Sequence, residues 1–257
     1  MNIIAIIQAR MNSTRLPNKV MAEISGHPLL YYVCYRARKA VTVNDTVVAT
    51  TTHVSDDAIA GFCRQAGIPC FRGSEEDVLD RYYQAAKVSG ADVIVRLTAD
   101  CPLLDPAVID RVVGVFGTGD YDYVSNSIEV SYPDGLDTEV MKYAALERAW
   151  REACLKSERE HVTSYIWKHP ELFRLMNVKN EVDYSTMRWT VDEPEDLAFI
   201  QQIYEHFGSS PECSWQEIIL YLRENPRLSS MNDAFQRNEG YAKSLREEQW
   251  LGGEEKG

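Results

Sequence analysis

The chain has 257 residues, 45% apolar and 26% charged, with 39 acids against 27 Lys and Arg, so its formal net charge is −12. That length and balance suit one large catalytic domain with small appendages, while a pI near 4.9 excludes general nucleic-acid binding, which needs Lys and Arg spread over a broad face. No stretch of about 18 apolar residues exists, which excludes a membrane-spanning helix, and the first apolar run lacks the length and cleavage pattern of a signal peptide.

A strand predicted at Asn2–Gln8 runs into a loop carrying Arg10, Arg15 and Lys19, interleaved with Asn12, Ser13 and Thr14. Residues 1–40 hold six cations (Arg10, Arg15, Lys19, Arg36, Arg38 and Lys39) against one acid, Glu23. A local positive funnel in an acidic protein suits a small polyanion. The loop contains no glycine, so it is neither a GxGxxG fingerprint nor a GxxxxGK[ST] loop, and its phosphate contacts have to come largely from side chains. A helix amino terminus following it is expected to add to them. The alternative is a solubilising surface loop; three cations among three small polar residues favour phosphate.

Further apolar runs predict strands at Thr46–Thr50, Ile68–Phe71 and Asp92–Leu97. Between them, helical periodicity links Leu30, Val33, Cys34 and Ala37, then Ile59, Phe62, Cys63 and Ala66, then a stretch from Asp77 to Lys87. Ser55 or Asp56 is placed to cap the second helix, and Gly67 and Gly90 to end the second and third. The alternation predicts a doubly wound α/β fold with its site at the strand carboxyl ends.

Asp100 follows a strand in LTADCPLLD. There it is placed to hold Mg2+ against phosphates, or equally to cap a helix. A helix is predicted from Asp105 and Pro106 to Phe116, a strand at Tyr121–Ser125, and a turn over Ser131–Asp137. The runs PDGLDTEVM and EREHV offer Asp134, Asp137, Glu139 and His161 to a second substrate, or only a turn and a solvated helix face. Helices follow at Tyr143–Cys154 and Glu158–Trp167, then strands at Phe173–Val178 and Met187–Val191. Asp192 ends the last strand before a Pro194 helix reaching Phe207, with Glu193, Glu195 and Asp196 complementing its dipole. Asp100 and Asp192, each at a strand end, could clamp one or two divalent ions. Past Gly208 the sequence predicts a helix at Trp215–Leu222 and a mobile polar tail ending in Gly and Glu. Six cysteines without CxxC spacing read as reduced thiols of a cytoplasmic protein.

The segments QARMNSTRLPNK (Gln8–Lys19), RGSEEDVLDRYY (Arg72–Tyr83), TADCPLLDP (Thr98–Pro106), PDGLDTEV, REHVT (Arg159–Thr163) and VDEPEDL (Val191–Leu197) occur in that order. Together they resemble the cytidylyltransferase family of CMP-sugar synthetases, most closely its branch named for spore-coat polysaccharide biosynthesis protein F. The likeness spans residues 1–207. It implies a nucleotide-diphosphosugar transferase (GT-A/Rossmann-like) three-layer fold with a mostly parallel sheet, CTP as donor, Mg2+ as cofactor, a small acidic sugar as acceptor and a homodimer built on the region after Tyr143. Residues 1–207 would be the catalytic domain, 126–190 its dimerisation and acceptor subregion, and 208–257 an appendage. Carried over by residue, Arg10, Lys19, Asp100 and Asp192 would be catalytic, the two aspartates as metal ligands. Gln8, Ala9, Arg10, Ser13, Thr14, Arg15, Lys19, Arg72, Asp80, Thr98 and Asp100 would bind nucleotide. Asp134, Asp137, Glu139, His161 and Arg188 would meet the acceptor, Arg188 because its fork fits a carboxylate. Asn12 and Asn18 stand where relatives often have glycine; Asn tolerates left-handed backbone better than most residues. The same fold serves glycosyltransferases, and a non-catalytic nucleotide-binding assembly partner is the third reading.

Overall fold

In the computed structural model, which describes residues 1–208, 212–235 and 237–251, the chain opens with β1 (Ile3–Gln8), a small hairpin of β2 (Glu23–Ile24) and β3 (His27–Pro28), and α1 (Leu29–Lys39). β4 (Asp45–Thr51), α2 (Asp57–Ala66), β5 (Cys70–Gly73), α3 (Val78–Val88), β6 (Val93–Thr98), α4 (Pro106–Gly117) and β7 (Tyr123–Ser125) follow. The chain continues through β8 (Glu139–Lys142), α5 (Tyr143–Glu152), α6 (Lys156–His161), α7 (Ser164–Lys168), β9 (Leu175–Asn177), α8 (Pro194–Phe207), α9 (Trp215–Glu224), α10 (Pro226–Ser229) and α11 (Glu239–Arg246). The main sheet has the order β5-β4-β1-β6-β8-β7-β9, in which β8 alone runs against the others.

β1 buries both of its faces because helices cover both sides of the sheet. Ile3, Ala5 and Ile7 join Leu30, Val33, Val112 and Ile200 in one core; Ile4 and Ile6 join Leu79, Tyr82, Leu146 and Ile166 in the other. The two-residue period of the strand thus feeds two layers of helices, giving three layers in all. Gln8 lies opposite Thr98 of β6, and Arg96 opposite Glu139 of β8, so the carboxyl ends of β1 and β6 and the amino end of β8 share one edge of the sheet.

Several expectations are corrected. The strand expected at Met187–Val191 is absent as a ladder: its backbone bonds go to the Asp134 turn and to Asp100 instead, with one bridge between Asp134 and Arg188. The missing partner is supplied by β8, an unforeseen strand within the acidic PDGLDTEVM run. The helix expected at Glu158–Trp167 is two short helices separated by Val162 and Thr163, Val162 with a φ of 59° that a β-branched residue rarely takes. Asp56 makes no cap bond to α2. Its buried carboxylate accepts instead from the amides of Met11 at 2.8 Å and Thr51 at 3.1 Å, tying the first loop to the end of β4. No helix begins directly after that loop; a 3-10 turn at Lys19–Met21 and the β2-β3 hairpin intervene before α1. Arg36 belongs to no surface funnel: it is 1% exposed and donates to the carbonyls of Leu104 and Cys213. The stretch expected as a polar tail carries α10 and α11 and packs against the body of the protein, while its last six residues, 252–257, lie outside the described ones.

Candidate active site

The first loop folds back on one carbonyl. Ser13 and Asn18 both donate their amides to Met11 O, at 2.9 and 3.0 Å, and the Ser13 hydroxyl accepts from Leu16 N. Asn18 has φ 62°, the left-handed conformation expected of a residue standing in for glycine, whereas Asn12 does not and pairs with Glu75 at 3.1 Å. The reversal at Asn18 swings Lys19 inward. Its side chain is only 11% exposed, and Nζ donates to Asp100 Oδ2 at 2.9 Å, Asp192 Oδ1 at 2.7 Å and Val191 O at 2.8 Å.

Three segments separated by some eighty to one hundred and seventy residues therefore meet at one ammonium. Burial works against the Lys19 charge, but Asp100 and Asp192 outweigh it and hold its pKa above the ordinary value. Burial likewise opposes the Asp100 charge; Lys19 and the Thr98 hydroxyl overcome it and hold Asp100 well below the usual carboxylate range. Arg15 closes the outer side, with Asp192 at 2.9 Å, Glu193 at 3.3 Å and Glu239 at 3.2 Å. Arg10 and Thr14 are exposed at the loop surface, Ala9 is buried and hydrogen-bonded to Ala49 O, and Gln8 accepts from Arg96 at 3.2 Å.

Two aspartates whose oxygens converge on one cation are a hard-oxygen donor set of the kind Mg2+ accepts, with phosphate oxygens and water completing its shell. Among the described residues no group of three His, Cys, Asp or Glu converges in that way, so the protein would supply only part of such a shell.

On the far side, Asp134 and Asp137 share Arg237: Asp137 is hydrogen-bonded to its guanidinium and Asp134 lies 3.9 Å away. Burial, then the neighbouring Asp137 carboxylate, push Asp134 up to about 7, and burial raises Asp137 as well. Asp134 can thus hold or release a proton near neutrality. Gly135 carries φ 115° and packs against the Trp189 backbone, where an added Cβ would sit 2.8 Å from the carbonyl carbon. That close approach sets the turn beside Arg188.

Other expected site residues are engaged elsewhere. Arg188 is 7% exposed, and its fork is taken up by Asp196 through two bonds of 2.8 Å, with Asp192 at 3.3 Å and Asp134 at 3.7 Å. It organises the carboxylates around it, and Asp196 is its fully buried partner, more than a dipole-complementing acid. Arg72 clamps the β4-α2 connection by binding Thr51 O, His53 O and Asp57. Asp80 accepts from Trp150 at 2.9 Å and Gln84 at 3.1 Å. Thr98 Oγ1 lies 3.2 Å from Cys101 Sγ. Glu139 is buried against Arg96, Tyr123 and Thr163. His161 contacts Ser244 of α11 at 2.9 Å, and burial lowers its pKa to about 4. Sequence reasoning missed Arg96, Arg237 and Glu239. Arg96 interrupts the apolar run of β6, a detectable sign of a cation held within the sheet; Arg237 and Glu239 carry no local signal.

A family model described as cytidylyltransferase matches residues 4–233. The chain is 35% identical over 242 residues to the spore coat polysaccharide biosynthesis protein SpsF of Bacillus subtilis, covering 91% of this chain and 99% of that one. Among solved structures it is similar to a cytidylyltransferase from Leptospira borgpetersenii, with TM-score 0.85, 32% identity and coverage of 89% and 97%. A shorter likeness, 40% identity over 115 residues and 44% of each chain, links it to 3-deoxy-manno-octulosonate cytidylyltransferase of Geobacter sulfurreducens.

Proposed function

The chain belongs to the cytidylyltransferase family of CTP-dependent nucleotidyltransferases, and from that premise we propose that it transfers CMP from CTP to a hydroxyl of a small acidic sugar, releasing pyrophosphate, in surface-polysaccharide biosynthesis. The observation that carries this reading is the convergence of Lys19 on Asp100 and Asp192 beside Arg15. Arg10, Arg15 and Lys19 bind and orient the triphosphate and balance charge on the departing pyrophosphate. Asp100 and Asp192 would hold Mg2+, which when bound neutralises phosphate charge. Asp134, in the rim made with Asp137 and Arg237, takes the acceptor hydroxyl proton. Arg188 keeps Asp192 and Asp134 in place. The protein acts as a cytoplasmic homodimer.

The reading is tested by incubating the purified protein with CTP, Mg2+ and a panel of acidic sugars while pyrophosphate is measured. Release with at least one acceptor is expected, and Lys19→Met should lower kcat/KM by about a hundredfold or more. No release with any acceptor, alongside turnover of a nucleotide sugar, would assign the site to glycosyl transfer instead.

A further inference from the structure

Beyond Ser230 the described chain crosses the site and is fastened at both ends. Asn232, 2% exposed, donates to Arg188 O at 3.0 Å and Asp196 at 2.8 Å. At the other end, Ser244 donates to Glu160 at 2.9 Å, Glu248 accepts from the Ser157 hydroxyl at 2.6 Å, and Leu251 N donates to Cys154 O at 2.6 Å. Between these anchors two charges of opposite sign each meet the lip that complements them. Arg237 lies on the acidic turn with Asp134 and Asp137, and Glu239 on the cationic loop at Arg15. Among the described residues from 231 onward only Asn232 and Ser244 are buried, and the Arg15–Glu239 pair, with side chains 34% and 42% exposed, is a contact that opens at small cost.

Arg15 Nη1 can satisfy a phosphate oxygen or the Glu239 carboxylate. We propose that Glu239 sets the affinity of the first loop for polyphosphate: its carboxylate holds the place on Arg15 that a phosphate oxygen takes, and the strap lifts from Arg15 when the anion binds. Glu239 is suited to this because it comes from neither lip. Asp192 and Glu193, the other partners of Arg15, are fixed at the start of α8, where Asp196 accepts both their amides at 2.9 Å. The proposal rests on the phosphate reading of the loop and not on the identity of the base or the acceptor.

The test is calorimetric titration of the full chain with pyrophosphate. Glu239→Gln should bind about two- to fivefold more tightly than the wild type, the scale of one partly exposed ion pair. Glu205→Gln, which removes the same charge from an exposed position of α8, should match the wild type. Hydrogen exchange of the wild type at residues 239–246 should quicken on saturation with pyrophosphate. Equal affinities for the three proteins, or strap amides that exchange unchanged or more slowly while pyrophosphate binds, overturn the proposal. Failure of both wild type and Glu239→Gln to bind pyrophosphate overturns it together with the phosphate reading. Pyrophosphate binding without CTP turnover removes only the catalytic assignment.

Discussion

Lys19 is the residue on which the site turns: one buried ammonium satisfies two aspartates and a carbonyl at once. Its placement depends on Asn18, the non-glycine left-handed residue just before it. Asp134, the proposed base, is an acid whose pKa is raised to near neutrality. A largely buried acid raised from 3.8 to about 7 is protonated below that value and able to act as a base only above it. The kcat/KM of the wild type should therefore rise with pH through about 7, and Asp134→Asn should lower the plateau and abolish that limb; a variant retaining the limb would assign it to another group. The stability consequence has the opposite sign. The folded state holds this proton more tightly than the unfolded one, so the contribution is full below about 4 and is lost as pH rises through 7. Asp100 and Asp192 are legible as acids just beyond apolar runs, and Lys19 as one of three cations in the loop after β1. That the Arg188 fork is occupied by Asp196 is not legible, because nothing local distinguishes a fork open to a ligand from one already paired.

At the level of elements, the strands and helices of the first half are legible because hydrophobic period is a local property, two residues in a strand and three to four in a helix. The second half resists that reading where tertiary contact overrides pattern. Met187–Val191 has the apolar content of a strand, yet its bonds serve the Asp134 turn, and β8 takes its place in the sheet. Gly135 is the hinge of that exchange. Its φ of 115° and its contact with the Trp189 backbone leave no room for a Cβ. Gly135→Ala should cost about 3 kcal/mol of stability, measured by urea unfolding, through strain and the forced separation of the turn from Trp189. An unchanged midpoint would mean that the turn adapts without loss.

Across the whole molecule, the sheet edge gathers Gln8, Lys19, Arg96, Asp100, Glu139 and Asp192 on one side, and the strap brings Arg237 and Glu239 to it from the other end of the chain. The proposed homodimer predicts a mass of about twice 29.3 kDa in sedimentation equilibrium at micromolar concentration, and a single-chain mass would exclude it. By itself the sequence determined the order of the α/β units, the cationic character of the first loop and the acids at the ends of apolar runs, because each of these is written within some ten neighbouring residues. Only the tertiary structure decided which charges meet. Lys19 pairs across 81 and 173 residues and Arg15 across 224, and such distances are closed by the packing of two cores rather than by any local preference of the chain.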